Sequence, residues 1–205
     1  MSILRWGWND YFEAVWKDAE RHGAVPARVI AQSRGIWRIA GNFGECPAEV
    51  AGKLRLAAAE GADWPAVGDW VAVEFRGVGS AARIQDVLPR RGRFVRKMAG
   101  KKIAEQVVAA NVDLALLVSA LDGDFNPRRV ERYLTQCWES GARPVVVLNK
   151  ADVCETRQKK IEEMEKGAMG VSVCAVSEKT GQGLGELENY FARGQTIVLL
   201  GSSGV

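Results

Sequence analysis

Asn149-Lys150-Ala151-Asp152 stands directly after the apolar run Val145-Val146-Val147-Leu148. A carboxylate such as that of Asp152 accepts two hydrogen bonds side by side, one from guanine N1–H and one from the 2-amino group. Adenine presents an acceptor at N1 and has no amino group at C2, so this carboxylate selects guanine. A site whose buried polar groups are left unpaired by the wrong ligand discriminates by about 10⁴-fold. Asn149 is suited to hydrogen-bond at the Hoogsteen edge and to nearby backbone, and the stem of Lys150 to lie over the base or sugar. The plainer alternative is a polar cap on the helix that follows.

Two more stretches fit the same chemistry. Ser177-Glu178-Lys179 follows another apolar run. There the Glu178 N–H can donate to guanine O6 while the Ser177 hydroxyl braces the Asp152 loop. The aliphatic stretch 196–200 opens into Gly201-Ser202-Ser203-Gly204-Val205. These residues fit the first five positions of G-x-x-x-x-G-K-[ST], in which successive backbone N–H groups surround phosphate oxygens and the Lys reaches the terminal phosphates. The sequence ends there, before the Gly-Lys-Ser that would bring that charge and a Mg²⁺ ligand. A strand followed by a Gly/Ser tail is the alternative.

The elements that must position these stretches read as an alternation over residues 105–205. Strands are predicted at 112–121, 144–148, 171–176 and 196–200, and helices at 127–140, 155–166 and 184–192. Fully apolar strands alternating with helices imply a parallel α/β sheet covered on both faces, with ligands at the carboxyl ends of the strands. Residues 1–104 differ. A short amphipathic helix over 9–21 is followed by candidate strands at 27–31, 36–40, 49–56, 70–75 and 82–88, separated by Gly-, Pro- and Asp-rich turns. Five short strands at this spacing suit a small closed β-barrel of OB type, with an SH3-like barrel as the alternative. Trp37, Trp64 and Trp70 read as barrel core or plug.

The net charge of +3 hides an asymmetry, +6 over residues 1–104 and −3 over 105–205. Arg90, Arg91, Arg93, Arg96, Lys97, Lys101 and Lys102 form an acid-free basic linker, which favours a polyanion such as nucleic acid over a merely solvated segment. Arg34 and Arg38, with Trp37, Lys53 and Arg55, alternate with apolar positions and extend the candidate RNA face across the barrel. Cys46, Cys137, Cys154 and Cys174 lack C-x-x-C spacing and His22 is the single histidine, so reduced thiols and no metal site are expected. The apolar runs are far shorter than the roughly 20 residues of a membrane span, and the N-terminus lacks the features of a secretory signal. A cytoplasmic location follows as the expectation.

At this point the chain resembles a known family, the circularly permuted GTPases called ribosome small subunit-dependent GTPase A. In most GTPases the phosphate loop precedes the guanine-reading loops, whereas here Asn149 and Ser177 precede Gly201. The resemblance extends to Pro65-Ala66-Val67-Gly68-Asp69-Trp70-Val71, Ala109-Ala110-Asn111-Val112-Asp113 and the stretch from Asp124-Phe125-Asn126-Pro127-Arg128-Arg129 to Leu134. It implies an OB domain on ribosomal RNA, a permuted GTPase domain using GTP or GDP with Mg²⁺, and a zinc-binding C-terminal domain that this sequence does not contain. It further implies a monomer that hydrolyses GTP during late maturation of the small ribosomal subunit. Without the P-loop Lys and Ser, the 205-residue chain alone is expected to be inactive, and no catalytic residue is assigned in it. An RNA-binding module with a non-hydrolysing α/β scaffold, and a P-loop kinase or ATPase, are the rival readings.

Overall fold

The computed structural model describes residues 2–18, 23–33, 35–57, 64–75, 81–97, 105–168 and 170–205. The chain forms two compact units, Met1–Asn111 and Val112–Val205.

The first unit opens with a short 3-10 turn at Ile3–Trp6 and helix α1 (Asp10–Lys17). Asn9 caps α1 by accepting the Phe12 N–H at 3.3 Å. Strands β1 (Val25–Ser33), β2 (Ile36–Gly41) and β3 (Gly44–Val50) follow. After helix α2 (Gly52–Ala57) come β4 (Trp70–Glu74) and β5 (Ala82–Val87). These five strands close a barrel in the order β1-β2-β3-β5-β4, with β4 returning to β1 and β3 parallel to β5. That order, with one parallel closure and a helix between β3 and β4, is the OB arrangement and decides against the SH3-like alternative.

The tryptophans are barrel material. Trp37 lies in the core with Ile39, Val71, Val73 and Ile84. Its indole N–H donates to the Pro65 carbonyl at 2.8 Å, and Trp64 stacks on it with centroids 5.9 Å apart. Trp70 of β4 packs in a separate cluster with Trp8, Phe12 and Leu88, so the apolar face of α1 lies against the outside of that core. Each fully buried large side chain of this kind contributes about 1.5–3 kcal/mol.

Two expectations are corrected here. The predicted strand 49–56 ends at Val50, and Lys53 and Arg55 lie on α2. Lys, Leu, Arg and Ala are strong helix formers, and the Leu54/Leu56 alternation that mimics a strand places Leu54 against the barrel core and Leu56 in solvent. The basic linker is also ordered in part: β6 (Arg93–Lys97) pairs antiparallel with β7 (Glu105–Ala110). Charge counting hides the strand because Arg93 and Arg96 are exposed around the buried Phe94. The first unit therefore runs to Asn111 rather than 104. Asn111 ties the hairpin to the barrel, its Oδ1 accepting from Arg91 N–H at 2.8 Å and its Nδ2 donating to the Gly68 carbonyl at 3.0 Å.

The second unit contains β8 (Leu114–Ala120), α3 (Pro127–Ser140), β9 (Arg143–Asn149), α4 (Arg157–Gly167), β10 (Val173–Ala175), α5 (Leu184–Glu188) and β11 (Ile197–Gly201). The sheet order is β10-β9-β8-β11, every pair parallel. On one face Leu114, Leu116, Val145 and Val147 pack with Leu187 of α5; α3 covers β8 and β9 and contacts α4. Asn126 caps α3, Pro127 begins it, and Gly141 ends it in the left-handed conformation. Because all four strands run the same way, their carboxyl ends share one edge.

Arg90 is internal. Its guanidinium donates to both carboxylate oxygens of Asp69, at 2.8 and 2.7 Å, and to the Trp64 carbonyl at 2.8 Å. The Asp69 side chain is 0% exposed and that of Arg90 14%. Removing one member strands the other, which costs about 3–5 kcal/mol. Asp69→Ala is therefore expected to lower urea stability by about 3 kcal/mol as followed by tryptophan fluorescence; a loss below about 1 kcal/mol would contradict the assigned role.

Candidate nucleotide-binding site

β9 delivers Asn149 to the sheet edge, and the chain turns sharply at Lys150, whose φ of 63° is left-handed. The buried Ala151 anchors the turn by donating its N–H to the Val176 carbonyl at 3.0 Å. Asp152 follows on the one-turn 3-10 helix Ala151–Val153. The buried Ser177 donates its hydroxyl to Asp152 Oδ1 at 2.8 Å, as the sequence predicts. The same Ser177 oxygen accepts from the Thr180 N–H at 3.2 Å, so the second loop is fixed while it fixes the first.

One contact differs from expectation. The Glu178 N–H donates to Asn149 Oδ1 at 3.1 Å, so a base carbonyl would have to share or replace that bond. The cavity between the loops has a volume of about 270 Å³ and is lined by Asn149, Lys150, Asp152, Val153, Ser177, Glu178, Lys179 and Val205. A carboxylate, an amide and a backbone donor converging beside an aliphatic wall suit a planar heterocycle with adjacent donors and an acceptor.

The phosphate-loop residues lie at the end of β11. A Cβ on Gly201 would meet the Val118 carbonyl oxygen at 2.8 Å, so only glycine permits this approach to β8. Gly204 has φ +82°, also a glycine conformation. Ser202 is half-buried and Ser203 exposed. Lys150 joins the two halves of the site, with Nζ donating to the Gly204 carbonyl at 2.9 Å and to Asp122 Oδ2 at 2.8 Å.

Asp122 belongs to the loop after β8, a strand end to which the sequence pattern assigns no chemistry. In the same loop both oxygens of Asp124 accept from Arg129 at 2.9 Å, Arg129 also donates to Ser202 Oγ at 2.8 Å, and that hydroxyl donates to Asp124. Lys160 of α4 donates to the Leu121 carbonyl at 2.9 Å and lies over the Phe125 ring. The available signal is a pair of acids directly after an apolar strand. Arg129 also sits in the first turn of α3, where a cation opposes the helix dipole at a cost of about 0.3–1 kcal/mol.

The candidate RNA residues are not all alike. Arg90 is withdrawn into the Asp69 pair. Arg38 is exposed on β2 and pairs with Glu45 at 3.1 Å, a contact of a kind worth about 0–1 kcal/mol. The Arg91 guanidinium lies 5.5 Å from the Phe12 ring centre. Arg93 and Arg96 are exposed on β6, and Lys97 ends that strand. Arg34, Lys101 and Lys102 lie outside the described residues.

Comparison with known proteins places the chain in a family. The profile described as RsgA GTPase matches residues 87–205. The "Small ribosomal subunit biogenesis GTPase RsgA" of Syntrophotalea carbinolica is 42% identical over 211 residues, covering 100% of this chain and 57% of that protein. The chain belongs to the RsgA GTPase family. The Opitutus terrae protein of the same name is 39% identical over 212 residues, covering 100% of this chain and 58% of its own length. The chain thus spans just over half the length of these RsgA relatives. Among solved structures, "YjeQ from Thermotoga maritima" has a TM-score of 0.68 at 23% identity, covering 88% of this chain and 61% of that one. A second, titled "YloQ, a circularly permuted GTPase", has a TM-score of 0.66 at 19% identity, covering 90% and 62%. At these identities the two structures speak for the fold.

In this RsgA-family site the loop after β8 is electrostatically set. The Lys150 hydrogen bond, with help from the Asp124 N–H, holds the Asp122 carboxyl below its ordinary range; Ser202 and then Arg129 do the same for Asp124. Lowered carboxyls contribute stability above the unfolded pKa of about 3.9 and lose it as pH falls through the lower folded values. Carboxyl carbon-13 titration is expected to give midpoints below about 3.9 for both residues; midpoints at or above that value would mean that these hydrogen bonds do not persist in solution.

Proposed function

We propose that this protein binds GTP and GDP at the edge formed by β9, β10 and β11, hydrolyses GTP, and acts in maturation of the small ribosomal subunit. The observation that carries the reading is Asp152, braced by Ser177 on the wall of a cavity that also meets Val205 of the phosphate loop. Asp152 takes the N1–H and 2-amino donors of guanine. Asn149 supplies its amide to the Hoogsteen edge, and Lys150 holds the phosphate loop in register with the base loop through Gly204. The backbone of 201–205 receives phosphate oxygens.

Mg²⁺ accompanies the nucleotide in the same proposal. Among the described residues no cluster of three or more Asp, Glu, His or Cys could hold a metal ion. Also among those residues, no helix is long and apolar enough to cross a membrane. Small-subunit RNA as the partner, and a monomer in the cytoplasm as the working form, complete the reading.

The base assignment is tested by Asp152→Asn, with GTP and XTP titrated against both proteins. The amide sets a donor against the 2-amino group of guanine, whereas xanthine has a carbonyl there that accepts from it. GTP affinity is expected to fall and the preference to move toward XTP by roughly 2–3 kcal/mol. An unchanged preference for GTP would mean that Asp152 serves only as the hydrogen-bond partner of Ser177. The RNA assignment is tested by Arg93→Glu with Arg96→Glu, both on the exposed side of β6. Small-subunit affinity is expected to fall, and the log–log salt slope to shrink by about 0.7 for each single-strand phosphate that is no longer neutralised. If affinity and slope both stayed the same, the hairpin would not be an RNA-binding element.

A further inference from the structure

We propose that Asp124 and Arg129 are positioning residues of the phosphate loop, clamping Ser202 so that the backbone of 201–205 is shaped before phosphate arrives. This deepens the nucleotide reading and rests on it. The two residues come from the β8–α3 loop and the first turn of α3, and their hydrogen-bond partner is 73 to 78 residues away.

The geometry is specific to the second position of the loop. The Ser202 hydroxyl both accepts from Arg129 and donates to Asp124, so its one proton and a lone pair are both used. Asp124 and Arg129 meet through one guanidinium nitrogen, Nη1, which is 2.9 Å from both carboxylate oxygens and 2.8 Å from Ser202 Oγ, so its two N–H groups are shared among three acceptors and the three side chains form a closed, charge-assisted cluster. A phosphate loop works through backbone N–H groups, which cannot be aimed by their own side chains. They are aimed by whatever fixes the chain on either side. Gly201 is pressed against β8 and the Gly204 carbonyl is held by Lys150, so Ser202 is the third fixed point.

Arg129 is placed for this task against local preference. Its cation stands in the first turn of a helix already capped by Asn126 and begun by Pro127, so helix formation does not call for it. Asp124 supplies the countercharge, and both side chains are half-buried. The side chains of the base-reading residues Asn149, Asp152 and Ser177 hydrogen-bond within their own two loops, to one another or to the backbone N–H groups of 178 and 180, and not to Asp124, Arg129 or Ser202. Loss of the clamp should therefore separate phosphate from base recognition.

The test uses the 205-residue chain with Arg129→Ala, Asp124→Asn and the conservative Arg129→Lys. Backbone nitrogen-15 order parameters are read at residues 202–205 and, as a control, at 145–148 in the core of β9. Arg129→Ala and Asp124→Asn are expected to lower the order parameters at 202–205 from about 0.85 toward 0.6 or below without changing β9, with Arg129→Lys recovering much of the order. Unchanged order at 202–205, or an equal loss in β9, would overturn the proposal. GDP and guanosine are then titrated by NMR: loss of GDP affinity with guanosine affinity retained is expected, and equal loss of both would overturn it. If the unsubstituted chain bound guanosine no better than adenosine, the nucleotide reading would fail, and the order parameters would still decide whether the clamp exists.

Discussion

Four parallel strands ending on one edge are the constraint on which the nucleotide site depends. The register places Ala120 beside Asn149, Leu148 beside Ala175 and Val118 beside Gly201, so loops far apart in sequence leave the sheet side by side. Parallel pairing is indifferent to the order in which the chain visits the strands. The proposed phosphate loop after β11 and the proposed base-reading loops before it can therefore occupy the edge that other chain orders would give them. The Asp152–Ser177 and Lys150–Gly204 bonds are consequences of that adjacency.

The site is built in tiers of decreasing burial. The β8 and β9 interiors are almost fully apolar and fix the strand ends; Ala151 and Ser177, both buried, then fix the loops by backbone and hydroxyl hydrogen bonds. Asp152, Glu178 and Lys179 stand outermost and exposed. Such an order suits recognition, because the exposed groups are held by buried ones. In the first unit the same logic runs inward, where the Arg90–Asp69 pair and the Asn111 bridge fasten the β6–β7 hairpin to the barrel.

Much of this is legible in the residues. Asn149 to Asp152 and Ser177 are picked out because each stands at the end of the strand that precedes it, so local pattern and proposed chemistry coincide. The alternation of apolar strands and helices in the second unit, with Asn126-Pro127 and Gly141 bounding α3, is likewise local. Composition misleads where it stands in for pattern. Seven basic residues between 90 and 102 read as a linker, yet Phe94 and Val95 carry a strand and Arg90 is an interior ion pair. Residues 49–56 read as a strand because period two over Leu54 and Leu56 is too short to separate a strand from one helical turn. Asp124 and Arg129 are invisible as site residues in the sequence because their meaning lies in Ser202, which only the tertiary fold brings near.

The central claim is that the cavity between β9, β10 and the phosphate loop reads guanine through Asp152. Its most direct test is an NMR titration of the chain with guanosine, inosine and adenosine. Inosine keeps N1–H and O6 but lacks the 2-amino group, so guanosine is expected to bind most tightly, inosine more weakly and adenosine not measurably. The guanosine-induced shifts should concentrate at Asn149, Asp152, Ser177 and Glu178. Equal shifts of those residues by adenosine and guanosine would contradict the claim.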